Sequence, residues 1–249
     1  MQKNHFNGKN LLKITYCGVL LSFIIPIIYL IIRIFSTDNI PAFSDESYRS
    51  VADYVLMLVQ CVLGVFVIHI PSFLSKTFKF DFPPILYMLY IIFLYCAIFL
   101  GEVRNFYYTV PNWDVVLHCF SSIMAGTFGF LVVSLLNHSE KTSMNLSPIL
   151  VSMFSFCFAV SLGAIWEIYE FTFDGILGLN MQKFMLADGT VLSGHDALRD
   201  TMKDIIVDCI GASFASVIGF ISMKKGKYWF EDIRSKKNPS SKNQATAEE

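Results

Sequence analysis

Charge is scarce in this chain: only 16% of its 249 residues are Asp, Glu, Lys or Arg, against 54% hydrophobic, and the mean hydropathy is +0.54. A soluble domain does not carry that balance. With a net charge of −1 there is no basic excess of the kind nucleic acid demands, so no nucleic-acid partner is expected. CxxC spacing is absent, and Cys17, Cys61, Cys96, Cys119, Cys157 and Cys209 all lie inside apolar runs. A disulfide framework or zinc ribbon is therefore excluded, and the thiols read as small buried apolar groups. No Ala-x-Ala-like site follows the first apolar run, Ile14 to Ile32, which is also too long for a signal segment, so it reads as a retained transmembrane helix. An internal repeat is missing too, which leaves an inverted-repeat transporter without support.

What the chain has instead is length of apolar run. Six stretches, at about 14–34, 51–70, 85–101, 115–136, 148–171 and 203–222, each approach the ~20 residues that cross a bilayer. Most prolines fall between these runs or at their first turns, and Pro26 alone lies in mid-span. The expected fold is all-α: a polytopic membrane protein with a six-helix transmembrane bundle in the cell (inner or plasma) membrane. Of the 19 Lys and Arg, only Arg33, Arg49, Arg104, Lys183, Arg199 and Lys203 fall outside if the N-terminus is cytoplasmic. The excess inside places both termini in the cytoplasm. Residues 1–222 then form the six-span domain, with a polar site over 113–211, and 223–249 form a basic, disordered cytoplasmic tail.

The polar site follows from spacing. Asp200, Asp204 and Asp208 recur every four residues and share a helical face, which continues as Gly211, Ala212, Ala215 and Gly219. Asp114 and His118 begin a second such face, continued by Ser122, Ala125, Gly126 and Gly129. Glu167, Glu170 and Asp174 end a third run, one turn after Gly163. Small residues beneath the acids predict close helix packing, and ionisable groups in membrane spans are costly enough to read as functional. With both termini inside, all three clusters meet in the outer leaflet.

So many acids at one depth need cations or protons. Carboxylates with one imidazole suit a divalent metal, Mg²⁺, Mn²⁺, Fe²⁺ or Zn²⁺, with Asp114, His118, Glu167, Asp204 and Asp208 as ligands. Glu167 or Glu170 is then the general base, and His118 a ligand or general acid. No HExxH motif accompanies them. For Asp200, Asp174 and Glu102 the expectation is instead an ion pair with Arg33, Arg49, Arg104, Arg199 or Lys203. Trp113 and Trp166 read as interfacial residues. In the loop 172–199, Asp188-Gly189 predicts a hairpin turn and a short lid, and Asp196 the N-cap of the last helix.

The motifs Trp113-Asp114-x-x-x-His118, Trp166-Glu167-x-x-Glu170 and Asp200-Thr201-x-x-Asp204-x-x-x-Asp208-x-x-Gly211 resemble those of the YjdF-type bacterial inner-membrane proteins. They are distantly similar to the VanZ-like family, associated with glycopeptide resistance, from which this chain differs by a Glu in place of a Gln and by lacking a matching Arg. The resemblance covers roughly 85–222 and implies a shared site. Three functions are compatible with the sequence: a metal-dependent hydrolase or transferase acting at the outer face on a lipid-linked or amphipathic substrate, a proton- or ion-coupled transporter, and a non-enzymatic envelope-stress or resistance protein.

Overall fold

The computed structural model describes residues 8–35, 51–78, 82–137, 146–186 and 189–225. The tail beyond 225, and Arg49 and Asp188, lie outside the described residues. The described part is helical: α1 (Gly8–Phe35), α2 (Val51–Val67), α3 (Ile70–Phe78), α4 (Pro84–Leu94) running into a π-helix (Tyr95–Val103), α5 (Phe106–Thr109), α6 (Trp113–Asn137), α7 (Pro148–Leu177) and α8 (Arg199–Lys224). Six spans are long and apolar enough to cross a membrane: Asn10–Phe35, Asp53–Thr77, Pro84–Val103, Trp113–Val133, Pro148–Leu177 and Arg199–Lys224. They coincide with the six apolar runs, and α7 and α8 reach further than those runs, to Leu177 and back to Arg199. Ile25, Phe66, Ile85, Ile165 and Ile210 face outward, as side chains against lipid do. The protein is a multi-pass membrane protein in contact with the bilayer.

The chain divides into two compact units, Met1–Leu117 with Ile165–Asp204, and His118–Ala164 with Ile205–Glu249, so α6, α7 and α8 contribute residues to both. In the first unit α1 packs on α2, on α4 and on the π-helix, around Val19, Phe23, Cys61, Ile68, Ile91, Leu94 and Ile98. A methyl group on Gly64 would lie 2.8 Å from Ile98 Cδ1, so α2 and the π-helix touch closely there. Where α2 ends, its Val67 carbonyl accepts the Tyr90 hydroxyl at 2.6 Å, which supplies a partner that lipid could not. The aromatic third span thus does more than pack: Tyr87 also bonds Ser72, at 3.0 Å.

The second unit is held by small residues. A methyl group on Gly126 would meet Ala215 Cβ at 2.9 Å, and one on Gly129 would meet the Ser155 backbone at 3.0 Å. On Gly211 it would fall 2.1 Å from Ser122 Oγ, and 2.8 Å from the Cys119 carbonyl. Helices that near gain dispersion contact and polar contact, the forces that associate helices where lipid removes the hydrophobic one. Phe130, Val133 and Val151 make its buried apolar cluster.

Candidate functional site

In the first unit the acids gather around a loop. Asp114 and Asp200 lie in the first turns of α6 and α8, where unpaired backbone N–H groups favour negative charge. Between them reaches Lys183, whose Nζ donates to Asp114 Oδ2 and, at 3.2 Å, to Asp200 Oδ2. Lys183 also stands 5.7 Å from the centre of the Tyr107 ring. Burial alone would lower the pKa of this ammonium, but Asp114 and then Asp200 outweigh it and hold the pKa above the ordinary lysine value.

The loop presents Lys183 because it is pinned on both sides. Asp174 at the end of α7 accepts two backbone N–H groups, Met181 at 2.8 Å and Gln182 at 2.9 Å. Asn180 closes the next turn, donating to the Met185 carbonyl at 2.7 Å and accepting the Met185 N–H at 2.9 Å. Gln182 then bonds Thr201 of α8 at 2.8 Å. Lys183 has a φ of 49°, a left-handed conformation that an unbranched lysine adopts at some cost and that the surrounding bonds enforce. Further along, Met185 and Val191 pair in antiparallel fashion about Gly189, whose φ is 84°. A single isolated bridge is present, and Asp188 of the expected hairpin turn lies outside the described residues.

Opposite the loop, the π-helix and α5 complete a small, open pocket lined in part by Gln60, Glu102, Tyr107, Asp114, Glu170 and Lys183. Asn105 and Asn112, with φ of 65° and 58°, turn the chain on either side of α5. Gly101 lets Tyr107 in, since a methyl group there would sit 2.4 Å from the ring. Burial pushes the Tyr107 phenol well above its usual range, and Asp114, Glu102, Glu170 and Asp204 add to the effect. Four carboxylates thus act on one hydroxyl. Gln60 donates to Glu102 at 3.3 Å and Trp166 to Glu170 at 2.9 Å.

In the second unit His118 Nδ1 lies 3.3 Å from Asp208 Oδ2, and both side chains are buried. Gly163 of α7 makes room for this carboxylate, because a methyl group there would lie 2.0 Å from the same oxygen. Glu167 and Asp204 are buried as well. Asp114, His118 and Asp204 make a group, its last two members buried, that could hold a metal ion.

Several sequence expectations need correcting. Asp174 is bonded to backbone amides rather than to arginine, and Asp200 is met by Lys183. Arg199 turns to Asp196 at 2.8 Å, and α8 starts three residues after Asp196, which is therefore not its N-cap. Trp166 donates to the Glu170 carboxylate, a bond that the sequence did not suggest. Lys183, Tyr107 and Gln60 were not picked out at all. For Lys183 the available signal was a lone lysine in the loop between α7 and α8, flanked by acidic helix ends.

Residues 18–225 match the family model described as "Predicted membrane protein (DUF2238)". An uncharacterized protein of Thermotoga maritima is 29% identical over 134 residues, 53% of this chain and 59% of that relative. The chain thus spans less than two thirds of the relative's length. No solved structure matches. With a family match running from the first span into the last, the chain is an integral membrane protein belonging to the DUF2238 family.

Proposed function

We propose that this protein binds a divalent metal at the outer membrane face and acts as a hydrolase or transferase on a lipid-linked or amphipathic substrate. The observation that carries the proposal is a set of metal-type donors: Asp114, His118 and Asp204 make a group that could hold a metal ion, and His118 and Asp204 are buried. Carboxylates together with one imidazole are the donors that a divalent Mg²⁺, Mn²⁺, Fe²⁺ or Zn²⁺ takes. Asp114, His118 and Asp204 are the proposed ligands, with Glu167 completing the set and Asp208 beside His118.

A metal there would polarise a phosphoryl or acyl oxygen and acidify a water. Glu170, held by the Trp166 indole, lines the pocket and takes the role of general base, with Glu167 one turn earlier as the other carboxylate able to receive the proton. Lys183 neutralises Asp114 and Asp200 beside the site. The similarity of Asp114-x-x-x-His118 and Glu167 to the VanZ-like pattern supports a role in the envelope.

Metal analysis of protein purified without chelator tests the proposal. Bound divalent metal, or a rise in thermal stability on adding Mg²⁺, Mn²⁺, Fe²⁺ or Zn²⁺, is expected, and Asp204→Asn should weaken both. Protein that neither contains nor responds to any of these ions would leave the proton- or ion-coupled transporter as the better reading.

A further inference from the structure

Resting on that metal-binding reading, we infer that Asp208 is the positioning partner of His118: it fixes the proton on Nδ1 and presents the Nε2 lone pair to the ligand. A neutral imidazole has one donor and one acceptor nitrogen, whereas an ionised carboxylate only accepts. The 3.3 Å contact between Nδ1 and Asp208 Oδ2 therefore selects the Nδ1–H form. Ligating histidines commonly make this bond through the nitrogen that does not face the metal, and it sets both ring orientation and basicity.

Three observations around the pair support positioning over a direct ligand role for Asp208. Asp208 meets the ring at Nδ1, at 3.3 Å, and so leaves Nε2 as the nitrogen for another partner. Its carboxylate is confined, at 2% exposure, by the bare backbone of α7 at Gly163, where any side chain would collide with Oδ2. One turn beyond His118, Ser122 and the Cys119 carbonyl press on Gly211, so the spacing of α6 and α8 is fixed beside the pair. Asp208 is thus held rigidly at the far nitrogen of the ring.

The test reads the tautomer without requiring metal. Full-length protein labelled with ¹⁵N-histidine is studied in detergent at pH 8, with His118 assigned by the signals missing from His118→Gln. Wild type should show a protonated Nδ1 and a lone pair on Nε2, and Asp208→Asn, which keeps the side-chain shape, should shift His118 toward the opposite tautomer. In Co²⁺ titrations Asp208→Asn should lose affinity by about 10–100-fold while the visible absorption of the bound ion keeps its shape, because the ligand count is unchanged. A wild-type His118 that is protonated on Nε2, or on both nitrogens, overturns the inference. So does an absorption spectrum altered by Asp208→Asn, which would make Asp208 a direct ligand. If Asp208→Asn does not fold, the wild-type tautomer alone decides. Absence of Co²⁺ binding by wild type would sink the metal reading and leave the tautomer result to stand or fall by itself.

Discussion

Lys183 and Asp114 are 69 residues apart in sequence and joined side chain to side chain, and the same ammonium reaches Asp200. An element with almost no secondary structure, the loop after α7, thereby ties the beginnings of α6 and α8 together within one unit.

Replacing Lys183 by Met should loosen this tie. Two largely buried carboxylates lose their donor, so the thermal stability of the purified protein should fall by about 1–3 kcal/mol. The pH dependence has a definite sign. A lysine whose folded pKa exceeds the ordinary 10.5 contributes stability that is complete below that value and is lost as pH rises through the folded pKa. Melting curves between pH 6 and pH 9 should show no change from Lys183, and wild type should approach Lys183→Met only in stronger alkali.

Asp174→Asn should undock the loop without unfolding the helices. The carboxylate accepts the Met181 and Gln182 N–H groups with its two oxygens, and an amide can replace only one of them. Proteolysis between Gly178 and Leu198 should quicken, with a cost of roughly 1–3 kcal/mol for the orphaned donor. Equal cleavage rates in mutant and wild type would show that the bonds do not hold the loop.

The glycines should rank by what a methyl group would meet. Gly211→Ala faces Ser122 Oγ at 2.1 Å and a backbone carbonyl at 2.8 Å, so it should destabilise more than Gly126→Ala, which faces one methyl at 2.9 Å. Overpacking of this kind costs about 1–3 kcal/mol. Gly175, in α7 with nothing within 4 Å, is the control, and Gly175→Ala should be neutral or stabilise by about 0.5–1 kcal/mol. Thermal unfolding of the three variants checks the order.

Orientation is tested by cysteine placement in a background lacking the native cysteines. With both termini cytoplasmic, Ser193→Cys in the loop after α7 should react with an impermeant thiol reagent in intact cells, and Ser147→Cys before α7 should not. The reverse pattern would invert the topology.

The spans were legible because a bilayer demands one simple thing of a sequence, an unbroken apolar run, and Asp53–Thr77 or Pro84–Val103 cannot be read otherwise. His118 and Asp208 were singled out for the same reason, since helical period places each on a face of small residues. Lys183 obeys no period. Its reach depends on where Asp174 and Asn180 fold the loop, and those bonds are made to backbone groups that carry no sequence signature. The π-helix that carries Glu102 is hidden likewise, because its composition, Tyr-Cys-Ala-Ile-Phe-Leu-Gly-Glu-Val, is that of an ordinary apolar helix. The partners of Asp174 and Asp200 were missed because both come from the loop: backbone amides for the first and Lys183 for the second.

The order of Asp114 and Lys183 along the chain also constrains biosynthesis. The ribosome delivers Asp114 at the head of α6 long before it makes the lysine that will meet it, and Asp200 arrives later still. Lys183 can therefore bridge both carboxylates only once α8 has followed the loop, which makes the tie between the starts of α6 and α8 a late event in the assembly of this unit.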